Sequence, residues 1–352
     1  MSHADGTAAS TTVTTGVEAS LDGPVGRIVL DRPRSLNALT LPMVQELERV
    51  LLAWVDEPLR AITISSTSER AFCAGGDIRQ VRQNTLDGAE SASLEFFATE
   101  YRVNHLLAAS RAPVVALVDG ICMGGGLGLS VHGAFRVVGD AAVLAMPETS
   151  IGFFPDVGAT HFLPRLPGEI GTYLGLTGAR VSAADAVGIG LATHHVPSAG
   201  LGAVADRLAA DDRPVELVLA ELTTAAGESE LVARRAQIDR TFDADSVDAI
   251  LDALRGEGTA WADATIEVLE SASRQSLDLT LDLLRRGADL SLRECLDLEL
   301  RAAEGAMRTP DFVEGVRAVL VDKDRAPQWG QSRYQGMTAE GHAVWSGAPA
   351  VP

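Results

Sequence analysis

Hydrophobic positions recur along the chain with two different periods, and the balance between them changes near residue 200. In the first part, short apolar or alternating runs alternate with segments of helical spacing. Residues 27–31 (Arg-Ile-Val-Leu-Asp) predict a strand, closed by Arg32-Pro33. Thr40 suits an N-cap with Pro42 in the turn that follows, and Val44, Leu47, Leu51 and Trp54 then recur on one helix face. Residues 61–66 alternate as a strand does. Residues 93–109 place Phe96, Phe97, Tyr101, Leu106 and Leu107 on one side of a helix. The apolar run 114–118 predicts a buried strand ending at Asp119-Gly120. The glycine run 124–128 then leads into a short helix, and residues 135–138 and 143–146 form two more strands. Strands that alternate with helices predict an α/β arrangement.

Beyond about residue 198, Ala/Leu/Asp/Glu/Arg segments take over. Helical spacing appears at 214–223, 246–254, 262–272, 276–286 and 292–306, and strand signals nearly vanish. The organisation expected is a disordered tail over residues 1–20, an α/β core over 21–200 that holds the active site, and a helical region over 201–352.

Composition narrows the chemistry. Of 352 residues, 29 are Lys or Arg against 48 Asp or Glu, a formal net charge of −19. Nucleic-acid binding, which needs a basic face, is excluded. Lys323 is the single lysine, and no glycine run precedes it, so a phosphate-binding P-loop is excluded; a lysine Schiff base could use only that residue. Cys73, Cys122 and Cys295 lie far apart with no metal or disulfide spacing, which implies a reducing compartment. No apolar run reaches the roughly 18 residues of a membrane span, and the first twenty residues lack the basic flank and apolar centre of a signal peptide. The expectation is a cytoplasmic protein with no membrane partner and no metal.

Four segments carry candidate chemistry. Residues 71–78 (Ala-Phe-Cys-Ala-Gly-Gly-Asp-Ile) follow a strand and precede a helix; the glycine pair is either an ordinary turn or a place where a ligand meets the backbone, with a free N–H at Gly76. Residues 119–128 (Asp-Gly-Ile-Cys-Met-Gly-Gly-Gly-Leu-Gly) repeat that context and put an N–H at a helix start, where developing negative charge is favoured. Their spacing fits neither the dinucleotide fingerprint nor, with Ser130 and His132, a nucleophile elbow. Residues 146–158 hold Glu148 and Asp156 among apolar residues, Gly and Pro. The pair reads either as carboxylates tuned for acid/base or nucleophilic work, or as a turn cap and a helix N-cap. Residues 309–324 read as a helix capped by Thr309, with Phe312, Val316, Val319 and Leu320 on its buried stripe.

The first three segments, in that order and spacing, resemble the crotonase (enoyl-CoA hydratase/isomerase) superfamily over roughly residues 25–330. Within it, Gly-Leu-Ser-Val-His-Gly at 128–133, the stretch 146–158, Phe-x-Glu-Gly-Val-Arg-Ala at 312–318 and the ending at Trp329 resemble the 3-hydroxyisobutyryl-CoA hydrolases. The resemblance implies a spiral of ββα turns with a C-terminal α-helical region, and an oxyanion hole for an acyl-CoA thioester from the N–H groups of Gly76 and Gly125. It implies that Glu148 is the catalytic carboxylate and that Asp156 binds the acyl hydroxyl or water, with Glu100 also at the substrate. Arg34, Ala74, Asp77 and Ile78 match positions near coenzyme A, which is part of the substrate, so no separate cofactor is implied. Hydratases carry a second glutamate where this chain has Gly128.

Hydration of a double bond needs two carboxylates about one water, whereas thioester hydrolysis needs one carboxylate near the carbonyl and a hole for the oxyanion. The expected activity is therefore hydrolysis of a 3-hydroxyacyl-CoA, as in valine breakdown. The alternatives are an enoyl-CoA hydratase or isomerase, and a non-catalytic acyl-CoA-binding protein. Superfamily members form trimers through C-terminal helices; the longer helical part here leaves a trimer or a monomer open.

Overall fold

The computed structural model describes residues 15–346; residues 1–14 and 347–352 lie outside it. The tail expected over residues 1–20 is corrected at its end, since only residues 15–20 of it are described. β1 (Val17–Asp22) pairs antiparallel with β2 (Val25–Leu30), from Val17 opposite Leu30 to Asp22 opposite Val25. Residues 17–20 are thus sheet.

The chain then winds as a spiral in which each turn sends one strand to each of two sheets. After α1 (Leu41–Ala53) come β3 (Ala61–Ser66) and β4 (Ala71–Cys73), then the helices α2 (Ile78–Leu86) and α3 (Glu90–Ala109). The next turn is β5 (Val114–Val118), β6 (Ile121–Met123) and α4 (Gly125–Val131). The third is β7 (Phe135–Val138) and β8 (Val143–Ala145), followed by α5 (Ala159–Phe162) and α6 (Ile170–Thr177). Two-residue strands β9 (Val181–Ser182) and β10 (His194–His195), on either side of α7 (Ala183–Gly188), complete the sheets. The larger sheet runs β1-β2-β3-β5-β7-β10, all parallel from β2 onward; the smaller runs β4-β6-β8-β9.

Burial explains why the strands read so clearly. All five residues of β5 are buried, because the large sheet is covered on both faces. Val114, Ala116 and Val118 enter the main core, while Val115 and Leu117 enter a second cluster behind the sheet. That rear face is closed by α9 (Val204–Ala210) and α10 (Val215–Leu222), which follow α8 (Ser198–Leu201), through Val204, Leu208, Val215, Val218 and Leu219.

The remaining helices are α11 (Glu230–Phe242), α12 (Val247–Glu257), α13 (Ala260–Ser271), α14 (Arg274–Gly287), α15 (Leu292–Ala306) and α16 (Pro310–Val316). Their buried residues join the same cluster as the front of the sheet, from Val17 to Val316. Each begins with a Ser or Thr whose hydroxyl accepts the third backbone N–H: Ser229, Ser246, Thr259, Ser273, Ser291 and Thr309. After α16 the backbone widens into a π turn over Arg317–Val321. The region expected to stay helical instead ends in a hairpin, β11 (Tyr334–Met337) with β12 (Ala343–Trp345).

Candidate active site

The two glycine-rich segments leave parallel strands of the small sheet side by side, β4 paired with β6. Gly75 has φ +100°, and a Cβ built on it would stand 3.6 Å from Gly125 N. The loops therefore touch, and only glycine fits both the space and the left-handed backbone. Around Gly76, Leu39 donates to Gly75 O at 2.8 Å and Asp77 donates to Leu39 O at 2.8 Å. This parallel bridge turns the Gly76 N–H to the opposite side. Gly125 is the first residue of α4, whose opening N–H groups have no partner within the helix. Both N–H groups belong to residues that line one cavity of about 240 Å³.

Three carboxylates converge there. Glu100 comes from the middle of α3, Glu148 from the 3-10 turn after β8, and Asp156 from the loop before α5; all three line the cavity and all are buried. A Cβ on Gly125 would lie 2.2 Å from Glu100 Oε1, and one on Gly124 would lie 2.8 Å from Glu148 Oε1. The missing side chains of α4 are what let the acids approach. Glu100 Oε1 and Glu148 Oε2 are buried with no hydrogen-bond partner, an uncommon state for carboxylate oxygens. Asp156 Oδ2 accepts a 2.7 Å bond from Tyr101 O–H.

Burial among like charges moves these acids in one direction. Burial lifts Glu148 well above the usual carboxylate range, and Asp156 adds to it. Burial, then Asp156 and Glu148, does the same to Glu100. Asp156 is pushed up to about 7 by burial, against the pull of the Tyr101 bond.

Ala74 and Ile78 line the cavity as well. Arg34 stands exposed on the 3-10 turn Pro33–Ser35, outside that lining. The Asp77 side chain turns away to Arg32, 3.4 Å distant. Lys323 is exposed, with φ +60°. Ser130 donates to Leu127 O within α4, whereas His132 Nε2 reaches Val157 O at 2.7 Å and so borders the Asp156 loop. Sequence reasoning missed several wall residues. Val319 and Leu320, read as helix packing, face the cavity from the π turn beside Ile151 and Phe153.

Position 128 is crowded. A Cβ on Gly128 would lie 2.8 Å from Asn104 Nδ2 and 2.8 Å from Val157 Cβ. A side chain at 128 therefore has no room unless Val157 or Asn104 moves.

Residues 25–343 match the family model described as enoyl-CoA hydratase/isomerase. The chain belongs to this family. Among curated members, it is 40% identical over 328 residues to the mitochondrial 3-hydroxyisobutyryl-CoA hydrolase of Gallus gallus, covering 90% of this chain and 85% of the relative. It is also 40% identical to 3-hydroxyisobutyryl-CoA hydrolase 1 of Arabidopsis thaliana, covering 88% and 85%. Among solved members, an enoyl-CoA hydratase from Rhodobacter sphaeroides superposes with TM-score 0.83 at 40% identity, covering 89% and 92%. A carnitinyl-CoA dehydratase from Mycobacterium thermoresistibile gives 0.85 at 36%, covering 89% and 91%. Family members of this similarity thus carry both hydrolase and hydratase names. Among the described residues, no helix is long and apolar enough to cross a membrane.

Proposed function

We propose that this family member hydrolyses a short 3-hydroxyacyl-CoA thioester, 3-hydroxyisobutyryl-CoA, to the free acid and coenzyme A. The observation that carries this reading is the filled space at Gly128. Glu148 faces the cavity beside the two glycine N–H groups, and position 128, where hydratases carry their second glutamate, is a glycine with no room for a side chain. The curated relatives of the hydrolase name support the same choice.

In this reading the thioester oxygen accepts from the N–H groups of Gly76 and Gly125. Charge that develops on it is met by fixed dipoles in a dry site. Glu148 acts at the carbonyl carbon. As nucleophile, its oxygen bonds to that carbon, the C–S bond breaks, the thiolate takes a proton, and water then opens the anhydride. As general base, it takes a proton from the attacking water. Label found in Glu148 after a single turnover in ¹⁸O-water marks the nucleophilic route with opening at the enzyme carbonyl. Label in the acid alone is common to the general-base route and to opening at the acyl carbon, and there a Glu148 hydroxamate formed with hydroxylamine marks the anhydride. Asp156 engages the acyl 3-hydroxyl or orients the water, and Glu100 lines the same pocket. The apolar wall of Ile78, Ile151, Phe153, Val319 and Leu320 suits a short branched acyl group and the pantetheine arm. Coenzyme A enters as part of the substrate, and no further cofactor is proposed.

The hydratase titles of the solved relatives favour a second reading, hydration of an enoyl-CoA. One pair of assays decides. Thiol release from 3-hydroxyisobutyryl-CoA, abolished by Glu148→Gln, supports hydrolysis. An absorbance change at the conjugated thioester band without thiol release supports hydration and rejects the hydrolase. We also place the protein in a reducing compartment, on the basis of its three buried free cysteines, with the cytoplasm as the expected one. Several animal relatives are named as mitochondrial, so cell fractionation against markers of both compartments tests this point.

A further inference from the structure

Asp156 sits at the start of a turn with unfavourable backbone. Val157 has φ +52° and Gly158 has φ +84°. Two successive left-handed residues are unusual, and for a β-branched residue such as valine that region is an outlier. Such a conformation persists only where its surroundings hold it.

Three side chains from three elements hold it. Tyr101 on α3 donates to Asp156 Oδ2 at 2.7 Å. His132, at the end of α4, lies 2.7 Å from Val157 O; a carbonyl only accepts, so its Nε2 carries the proton. The third is Glu299, in the middle of α15 and 141 residues from Gly158. It is wholly buried. Its Oε2 accepts from the Gly158 N–H at 2.7 Å, and its Oε1 accepts from the Thr160 N–H at 2.9 Å and the Thr160 hydroxyl at 2.6 Å. A buried carboxyl group is costly, and helix packing alone would be met as well by an apolar residue. A carboxylate is the side chain that offers acceptors to three donors from both of its atoms at once. A glutamine of the same shape must turn its NH₂ toward one set of those donors.

We propose that Glu299 is a positioning residue for thioester hydrolysis: it fixes the turn over residues 156–160 that aims Asp156 into the cavity. The proposal rests on the reading of Asp156 as a group that engages the substrate hydroxyl or the attacking water. The C-terminal helical part is then a component of the active site and not only its cover. Loss of this brace lets the Asp156 carboxylate wander, and misplacement by about 1 Å can cost on the order of 100-fold in rate.

The test is a double-mutant cycle of the full-length enzyme, scored by kcat/KM for thiol release from 3-hydroxyisobutyryl-CoA. Circular dichroism and thermal unfolding confirm that each variant is folded at the assay temperature. Glu299→Gln is expected to lower kcat/KM by about tenfold or more. In an Asp156→Asn background the same substitution is expected to change it by less than about twofold, because the group it positions is already gone. Equal losses in both backgrounds mean that Glu299 does not act through Asp156, and they overturn the proposal. So does a Glu299→Gln enzyme of wild-type activity when Asp156→Asn is impaired; the reading of Asp156 then stands alone. An unimpaired Asp156→Asn enzyme instead removes that reading, and the proposal with it. If Glu299→Gln does not fold, Thr160→Val deletes one of the three donors at nearly constant volume. It is expected to show a smaller loss that likewise vanishes in the Asp156→Asn background, and equal losses in both backgrounds again overturn the proposal.

Discussion

The phenol of Tyr101 is the smallest lever on the site's chemistry. Its 2.7 Å bond favours the ionised form of Asp156, while burial favours the neutral form and wins, leaving the group near 7. An acid whose pKa is raised gains its negative charge only at higher pH. If ionised Glu148 and Asp156 are the working forms, kcat/KM must climb with pH over a limb displaced upward from the usual carboxylate range. Tyr101→Phe removes the one side-chain bond that opposes burial, so that limb should move to higher pH; a pH–rate profile of both enzymes checks the shift. A limb that stays below about 5 in the wild type would reject the assignment. At this scale Gly76, Gly125, Glu148 and Asp156 were legible in the sequence, because each lies in a segment whose glycine or carboxylate pattern is unusual for packing, whereas Glu100 entered only through the family resemblance. The structure gathers all five around one cavity. Tyr101 and Glu299 were not legible as partners of the site. Each falls on a helix stripe whose period predicts burial and says nothing of what the side chain meets. One signal for Glu299 was present: it shares the buried face of α15 with Cys295, Ala302, Ala303 and Ala306, a place where an unpaired glutamate has no business.

Helix α15 shows how an element brings its residues to the site. Ser291 accepts from the Glu294 N–H, and the Glu294 carboxylate accepts from the Ser291 N–H at 2.9 Å, a reciprocal capping box. The cap fixes where the helix starts, and so which turn carries Glu299. Ser291→Ala should cost about 1 kcal/mol of stability. Urea unfolding followed by circular dichroism measures it; an unchanged midpoint would mean that the box contributes nothing. The helices with broad apolar stripes and Ser or Thr starts were readable within a few residues. Helix α11 was missed because Arg234, Arg235 and Gln237 dilute its stripe, and it buries only Leu231, Ile238, Thr241 and Phe242. Strand β1 was missed for a different reason. Only Val17 of its six residues is buried, so it has no alternation, and it is held by main-chain pairing with β2. The π turn at Arg317–Val321 left no trace in composition, yet it carries Val319 and Leu320 into the cavity wall.

For the molecule as a whole, the net charge of −19 opposes a substrate that carries several negative charges of its own. Many arginines are already matched to carboxylates. Arg317 alone contacts Glu314, Asp322 and Asp324, and Arg213 contacts Asp211 and Glu221. The long-range field is therefore repulsive, and salt weakens it over a Debye length of about 8 Å at 0.15 M. KM for the coenzyme A thioester is expected to fall as ionic strength rises from about 0.01 to 0.15 M. A KM that rises instead would show that a local arginine contact, with Arg34 as the candidate the family resemblance implies, governs capture. The α/β character and the helical second part were legible because each rests on periodicity, whereas the spiral entered only through the family resemblance. The closing of the sheet's rear face by α9 and α10 was not, because those helices read as the start of a separate region. The brace on the Asp156 turn also sets an order in time. While the protein is being made, both sheets and all three cavity carboxylates leave the ribosome before residue 299 does. Until α15 arrives, the N–H groups of Gly158 and Thr160 lack their acceptor. On the proposed role of Glu299, a nascent chain of two-thirds length holds the cavity carboxylates while the turn that aims Asp156 still lacks its brace, and full activity waits for the last third to dock.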